Sequence, residues 1–410
     1  MFTSFSTALS GLNADTVAID VVGNNLANLN TTGFKASSVS FHDLMSQTIG
    51  STEIGFGVGT PITLRQFTQG AIQSTLSPLD GAIQGDGFFV VSSPSQGAEY
   101  TRSGSFEVNS SGTLTTPTGE PVQGWSTVGG VLDTTGAVGN ITVPAGTLSP
   151  PAATTSASVD LNLDATATAG PPAATFTSSV EAFDSLGVSH VVTFSFTKSA
   201  TANQWNYSAS LPAGDTTSPS APITGTLTFD ANGKLTSPLS TDPPPVIAAT
   251  GLTDGAADMS INWNLFNSGV PRITQFAQPS ATSAVAQDGG PAAKLASVGL
   301  SDGGQILARY SDGQQTVVGQ LALATIRNPE SLVAVGNNNF QTTALTALPA
   351  VGMPGTGGRG TVLGGSIESS TVDIAREFTS LIVFQRGYQA NAKVITTVDQ
   401  VSQDTINLKQ

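Results

Sequence analysis

Phe5, Leu12, Ile19 and Leu26 recur at a seven-residue step, with Ala8, Val22 and Leu29 three residues after three of them. Near the other end Ile374, Leu381, Tyr388 and Ile395 repeat that step, with Phe378, Phe384, Ala392 and Val398 beside them. Seven residues is close to two helical turns, so each set predicts an apolar stripe along an α-helix. A seam of that period asks for another helix along its length. Two ordinary core helices would satisfy the periodicity equally. The middle of the chain, however, supplies no third helical face as long, so the natural mate of each stripe is the other, or the stripe of a neighbouring copy.

Between the stripes the period changes to two. Val159, Leu161 and Leu163 alternate with polar residues, as do Val192, Phe194 and Phe196, then Trp205, Tyr207, Ala209 and Leu211, then Met259, Ile261, Trp263 and Leu265. Each run predicts a strand with one buried face. Ser, Thr, Asn and Asp dominate the intervening positions, which fits antiparallel sheets with one wet side. Turn signals such as Asp86-Gly87, Asn232-Gly233 and Asp312-Gly313 punctuate the region. All 23 prolines lie between Pro61 and Pro354, so the ends differ in kind from the middle. The pattern predicts an α+β fold, mainly β, with a helix at each end.

Composition narrows the function. Charged residues are 10% of the 410, against about 25% in an ordinary soluble domain. The net charge of -14 has the wrong sign for holding a phosphate backbone, which argues against nucleic acid as a partner. The absence of cysteine excludes disulfides, a thiolate nucleophile and Cys-ligated metal. The first basic residue is Lys35, so a cleaved signal peptide is not expected, and no apolar run approaches the roughly 20 residues needed to cross a bilayer. From Ser103 to Pro271 only Lys198 and Lys234 stand against twelve acids, marking the most solvated part of the chain.

Candidate chemistry is thin. Gly299, Ser301 and Gly303 match a nucleophile elbow, yet both histidines, His42 and His190, lie upstream, against the order that a hydrolase of that type requires. Gly355, Gly357 and Gly360 match a dinucleotide-binding pattern, but Pro354 precedes them and Gly364-Gly365 interrupts a following helix, so a flexible link towards the C-terminal helix is expected. Asp230-Ala231-Asn232-Gly233 starts like a calcium loop but lacks the later ligands, so a hairpin turn is predicted. Glu181 and Asp184 lack any sign of a glycosidase geometry, and the two histidines read as lone imidazoles. No catalytic residue, cofactor site or metal site is expected.

The run ALSGLNADTVAIDVVGNNLANLNTTGFK, Ala8 to Lys35, resembles the N-terminal signature of the bacterial flagellar rod and hook axial protein family. SIESSTVDIAREFTSLIVFQRGYQANAKVITTVDQ, Ser366 to Gln400, resembles the C-terminal half of the same signature. Leu79 to Val91 and Tyr100 to Leu114 resemble the family's first β segment. Val159 to Ala165, Phe229 to Leu235 and Gly319 to Leu332, with the large β insertion, resemble its hook branch in particular. Gly23, Asn24, Asn25, Asn28, Gly33 and Phe34, and Gln385, Tyr388 and Asn391, stand at signature positions.

The resemblance implies terminal helices, residues 1–30 with 368–410, forming a coiled-coil-like bundle in the wall of a tube. Extended connecting segments, 31–71 with 355–367, lead to an inner β domain, 72–150 with 285–354. An outer β domain, 151–284, is inserted into the inner one, both antiparallel and sandwich- or barrel-like. Assembly would then rest on Phe5, Leu12, Ile19, Leu26, Ile374, Phe378, Leu381, Tyr388, Ala392 and Ile395. Implied partners are copies of the same chain, the distal rod, the hook cap, the hook–filament junction proteins and the flagellar export apparatus, with no membrane insertion. The implied place is outside the cell, reached by the flagellar type III route. A distal rod subunit is the alternative within the family, although its members lack the large insertion. A β-rich surface adhesin is the alternative from another class; it would explain the polar strands but not the paired stripes.

Overall fold

The computed structural model describes residues 2–44, 46–49, 52–93, 97–128, 131–144, 146, 148–217 and 221–407. The chain forms two compact units. One comprises Met1–Ala145, Ser297–Arg309 and Gln315–Gln410, the other Gly146–Ala296 and Tyr310–Gln314.

Both predicted helices are present in the first unit, α1 over Phe2–Ala27 and α2 over Ile374–Asn407. Asp373 caps α2, its Oδ1 accepting from the backbone N–H of Ala375 at 2.8 Å and of Arg376 at 3.1 Å, two donors that the first turn leaves unpaired. A six-stranded sheet runs in the order Val333–Gly336, Asn339–Gln341, Gly97–Thr101, Phe88–Ser93, Leu323–Thr325 and Ala350–Gly352. Phe88, Val90, Tyr100, Ala324, Ile326, Leu332 and Phe340 form a core on it.

The segments expected as connectors carry short strands. Ser37–Ser40 pairs antiparallel with Ile62–Arg65, Ile72–Ser74 with Ser366–Glu368, and Gly81–Gln84 with Thr361–Gly364. The Gly355 to Gly360 stretch is therefore a turn into a paired strand, not a flexible link to α2. The Arg359 Nε donates to the carbonyl of Met353 at 3.0 Å and fastens it. Ser301 likewise sits in a turn, its hydroxyl donating to the Gln305 carbonyl at 3.2 Å.

The second unit is two sheets over one core. Thr175–Phe183, Ser189–Lys198, Gln204–Ser210, Ile223–Phe229 and Leu235–Ser237 form an antiparallel sheet in sequence order. The four alternating runs bury their apolar faces as predicted, and Trp263 meets Phe194 with ring centroids 4.8 Å apart and Tyr207 at 5.1 Å. Asp230 closes the expected hairpin turn, its Oδ1 accepting from the N–H groups of Asn232 and Lys234, both at 2.8 Å.

The expectation of purely antiparallel sheets is corrected in the other sheet. Ser156–Asp164 pairs antiparallel with Ala281–Gln287 but parallel with both Met259–Trp263 and Ile273–Phe276. After Asp164 the chain traverses the whole first sheet and returns in the same direction. Only such a long crossover permits parallel neighbours.

Candidate assembly site

The helices run antiparallel. Asn25 Nδ2 donates to Glu377 Oε1 at 3.1 Å near one end, and Asn391 Nδ2 to Asp15 Oδ2 at 3.0 Å further along. The buried positions of α1 are mostly small, Ala8, Ala14 and Ala18, then Val22 and Asn25. Two glycines complete the approach. A Cβ on Gly11 would lie 2.7 Å from Asn391 Nδ2, and one on Gly387 would lie 2.9 Å from an Asp15 carboxylate oxygen.

The large apolar residues lie elsewhere. Phe5 is exposed and Leu12, Ile19 and Leu26 are half-buried; on α2 Leu381, Ala392 and Ile395 are half-buried, while Ile374, Phe378 and Tyr388 are exposed. No residue of α2 is fully buried, and Phe378 keeps 51% of its surface open. The stripes read from the sequence therefore differ from the seam. At about 100° per residue each stripe lies roughly a quarter turn around its helix from the seam, in the same rotational sense on both. Because the helices are antiparallel, that shared sense brings both stripes out on one side of the hairpin. Gly57 packs on the other side, where a Cβ would lie 3.2 Å from the Thr7 Cα. Gln385, at a signature position, is exposed on the stripe side of α2.

A buried charge cluster ties the segment after α1 and the strand before α2 to the β structure. Glu368 Oε1 accepts from Lys35 Nζ at 2.6 Å and from the N–H of Gly70 at 2.6 Å, while Oε2 accepts from Arg102 Nη1 at 3.3 Å. The side chains of Lys35 and Glu368 are wholly buried. Lys35 Nζ also donates to the Thr68 carbonyl at 2.7 Å, and Arg102 Nη2 to that of Gly85 at 2.9 Å. Burial pushes the Lys35 ammonium and the Arg102 guanidinium below their ordinary values, and Glu368 opposes both shifts.

Signature positions lock the same junction. Asn25 Nδ2 donates to the Ser37 carbonyl at 2.8 Å and its Oδ1 accepts from the Ser37 N–H at 3.0 Å, so one buried amide joins α1, a strand and α2. Asn28 Nδ2 donates to Asn24 Oδ1 at 2.8 Å where α1 ends. Gly33 adopts φ +69, a Cβ there would lie 2.5 Å from the Arg102 carbonyl carbon, and its N–H donates to the Glu368 carbonyl at 2.7 Å. That position accepts glycine alone. The Phe34 carbonyl accepts from the Thr371 N–H at 3.1 Å. Gly23 is exposed with open space around it. Lys35, Arg102 and Glu368 all fall within the runs quoted above, but no periodic signal pairs charges so distant in sequence.

Four family models match the chain. The flagella basal body rod protein model covers residues 5–35, and the flagellar hook protein FlgE/F/G D1 domain 82–162. The flagellar basal body protein FlaE D2 domain covers 162–289, and the flagellar basal body rod FlgEFG protein C-terminal model 363–408. Flagellar hook protein FlgE of Borreliella burgdorferi is 33% identical over the full length of both chains. That of Escherichia coli is 32% identical over 99% of this chain and 100% of its own. The chain belongs to the flagellar hook protein family. This is a family of structural proteins, not of enzymes, and it places the chain in the flagellum. The crystal structure of flagellar hook protein FlgE2 of Helicobacter pylori covers 71% of this chain and 99% of its own, with a TM-score of 0.51 at 12% identity, a likeness of fold. Among the described residues no helix is long and apolar enough to cross a membrane.

One sequence reading in the second unit is corrected. His190 is not a lone imidazole: Asp215 Oδ2 lies 2.9 Å from its Nδ1, and Asp184 Oδ2 and Asp254 Oδ2 lie 3.1 and 3.8 Å from its Nε2. Carboxylates 6, 25 and 64 positions away form no spacing motif, and folding of three loops brings them together.

Proposed function

We propose that this hook-family chain polymerises into the flagellar hook, a curved tube that carries torque from the rod to the filament while bending as it turns. The observation that carries this reading is the pair of apolar stripes left open on one side of the α1–α2 hairpin. Contiguous exposed apolar surface of that kind marks an interaction site. Identical chains meeting through a contact that does not close on itself form a helical filament, and a tube is such a filament.

In this reading 1–30 with 368–410 line the inner tube as a helical bundle, 31–71 with 355–367 connect, 72–150 with 285–354 form the inner β domain, and 151–284 form an inserted outer domain. Phe5, Leu12, Ile19, Leu26, Ile374, Phe378, Leu381, Tyr388, Ala392 and Ile395 supply the contacts between copies. The distal rod, hook cap, junction proteins and export apparatus are the further partners, and export proceeds by the flagellar type III route.

Electron microscopy of cells lacking the protein tests the assignment. Basal bodies that end without hooks are expected, whereas cells with normal hooks would refute it. Twist is resisted by the inner helices, and bending needs outer domains that slide. The outer segment is acidic and rich in Ser and Thr, which gives it few orientation-locked contacts. Deleting residues 151–284 should therefore leave polymers that are straight or abnormally flexible; a variant unable to polymerise at all would show that this segment holds the tube together.

A further inference from the structure

Four titratable side chains converge at one end of the second unit. Asp184 lies in the turn after Thr175–Phe183, His190 in the next strand, Asp215 in the loop after Gln204–Ser210, and Asp254 in the loop after Val246–Ala249. Backbone bonds lace these loops together. The Thr253 N–H donates to the Asp215 carbonyl at 3.0 Å, the Thr217 N–H to that of Gly251 at 2.8 Å, and the Ala257 N–H to Ser185 Oγ at 2.9 Å.

Each carboxylate is aimed. Asp184 Oδ1 accepts from the N–H groups of Leu186 at 2.8 Å and Val188 at 2.9 Å, and Asp254 Oδ1 from that of Ala256 at 3.0 Å, so in both the other oxygen is the one turned to His190. His190 Nδ1 faces Asp215 Oδ2 at 2.9 Å, and its Nε2 faces one oxygen each of Asp184 and Asp254. No donor to that nitrogen is found among the described residues. A ring nitrogen between two carboxylates is satisfied either as an N–H donor of the imidazolium or as a ligand to a cation held among the three groups, and the imidazole itself is 95% buried.

We propose that Asp184, His190 and Asp254 bind one divalent transition-metal ion, with Asp215 as the positioning residue behind the imidazole. The three donor atoms lie within 4.8 Å of one another. Tetrahedral ligands at roughly 2.1 Å from zinc stand about 3.4 Å apart, between the 3.1 and 3.8 Å seen from Nε2 to the two carboxylates. One imidazole nitrogen and two carboxylate oxygens suit Zn²⁺ or Mn²⁺ better than Ca²⁺, which takes oxygen ligands. A carboxylate behind the ligating ring is the usual support of such a site. The partly exposed Asp254 gives the ion its way in, and the bound metal staples three loops of the unit.

The test uses the full chain, stripped with chelator and titrated with ZnCl2, MnCl2 or CaCl2 by calorimetry and thermal unfolding. One Zn²⁺ or Mn²⁺ per chain with a raised Tm is expected, and Ca²⁺ should bind at least tenfold more weakly. Asp254→Asn sits on a partly exposed loop and should keep the fold while losing at least tenfold in affinity. Asp215→Asn should lose about 10–100-fold, and His42→Ala should change nothing. Co²⁺ substitution should give visible absorption bands that Asp254→Asn removes. Absence of binding to the native chain, or binding that survives Asp254→Asn and His190→Ala unchanged, would overturn the proposal.

Discussion

Replacing Glu368 by Gln should destabilise the first unit by roughly 3–5 kcal/mol, the cost of breaking a buried ion pair from one side. The substitution keeps the shape but removes the charge that faces both the Lys35 ammonium and the Arg102 guanidinium. Lys35 is then buried without an anion and Arg102 keeps only the charge of Asp86, in surroundings that already push both cations towards their neutral forms. Against a typical total stability of about 5–15 kcal/mol, the loss is large. Urea denaturation of the purified chain measures it as a lower midpoint. The double variant Lys35→Met with Glu368→Gln removes one of the stranded charges and should recover part of the loss. If the single variant unfolds at the native midpoint, the cluster is not a structural clasp. Because the Gly70 N–H also ends on the Glu368 carboxylate, the damage should extend to the segment that leads into the Ile72–Ser74 strand.

How much of this was legible in the sequence depends on the kind of interaction. Val192, Phe194 and Phe196, or Met259, Ile261 and Trp263, announce a half-buried strand whatever its neighbour is, and all six are buried. Strand direction is not encoded that way, so the parallel pairing of Ser156–Asp164 was invisible. The helices at both ends were equally plain, but their seam was not. It runs through Gly11 and Asp15, with Gly387 and Asn391 opposite, and the buried positions of α1 beside them are Ala8, Ala14 and Ala18, which hydropathy hardly weighs. Small residues let two backbones approach, and large ones on the adjacent face stay free for something else. Charges carry no period at all. Lys35, Arg102 and Glu368, like His190 and its three aspartates, become a cluster only once strands and loops have brought distant segments together.

The separation of seam from stripe yields the second large effect. Phe378, of the stripe, and Ile382, one helical turn further along the same open flank of α2, retain 51% and 54% of their surface, so the double variant Phe378→Ser with Ile382→Ser takes little from the packing of α2 on α1. Exposed substitutions of this kind usually change stability by about 0.5 kcal/mol or less. Full burial of a large apolar side chain is worth roughly 1.5–3 kcal/mol, and about half of each is still open, so two of them lost at a contact between copies weaken it by about 1.5–3 kcal/mol. At 1.4 kcal/mol per factor of ten, polymer formation should need at least about tenfold more protein. Light scattering and negative-stain microscopy read that threshold, while far-UV circular dichroism and the urea midpoint of the monomer should match the native chain. Tubes forming at the native concentration would mean that the open stripes do not hold copies together. A changed monomer midpoint would mean that Phe378 and Ile382 serve the hairpin itself. If assembly is lost with an intact monomer, the hairpin divides its surface by side-chain size: small residues join α1 to α2 within a chain, and large ones join chain to chain.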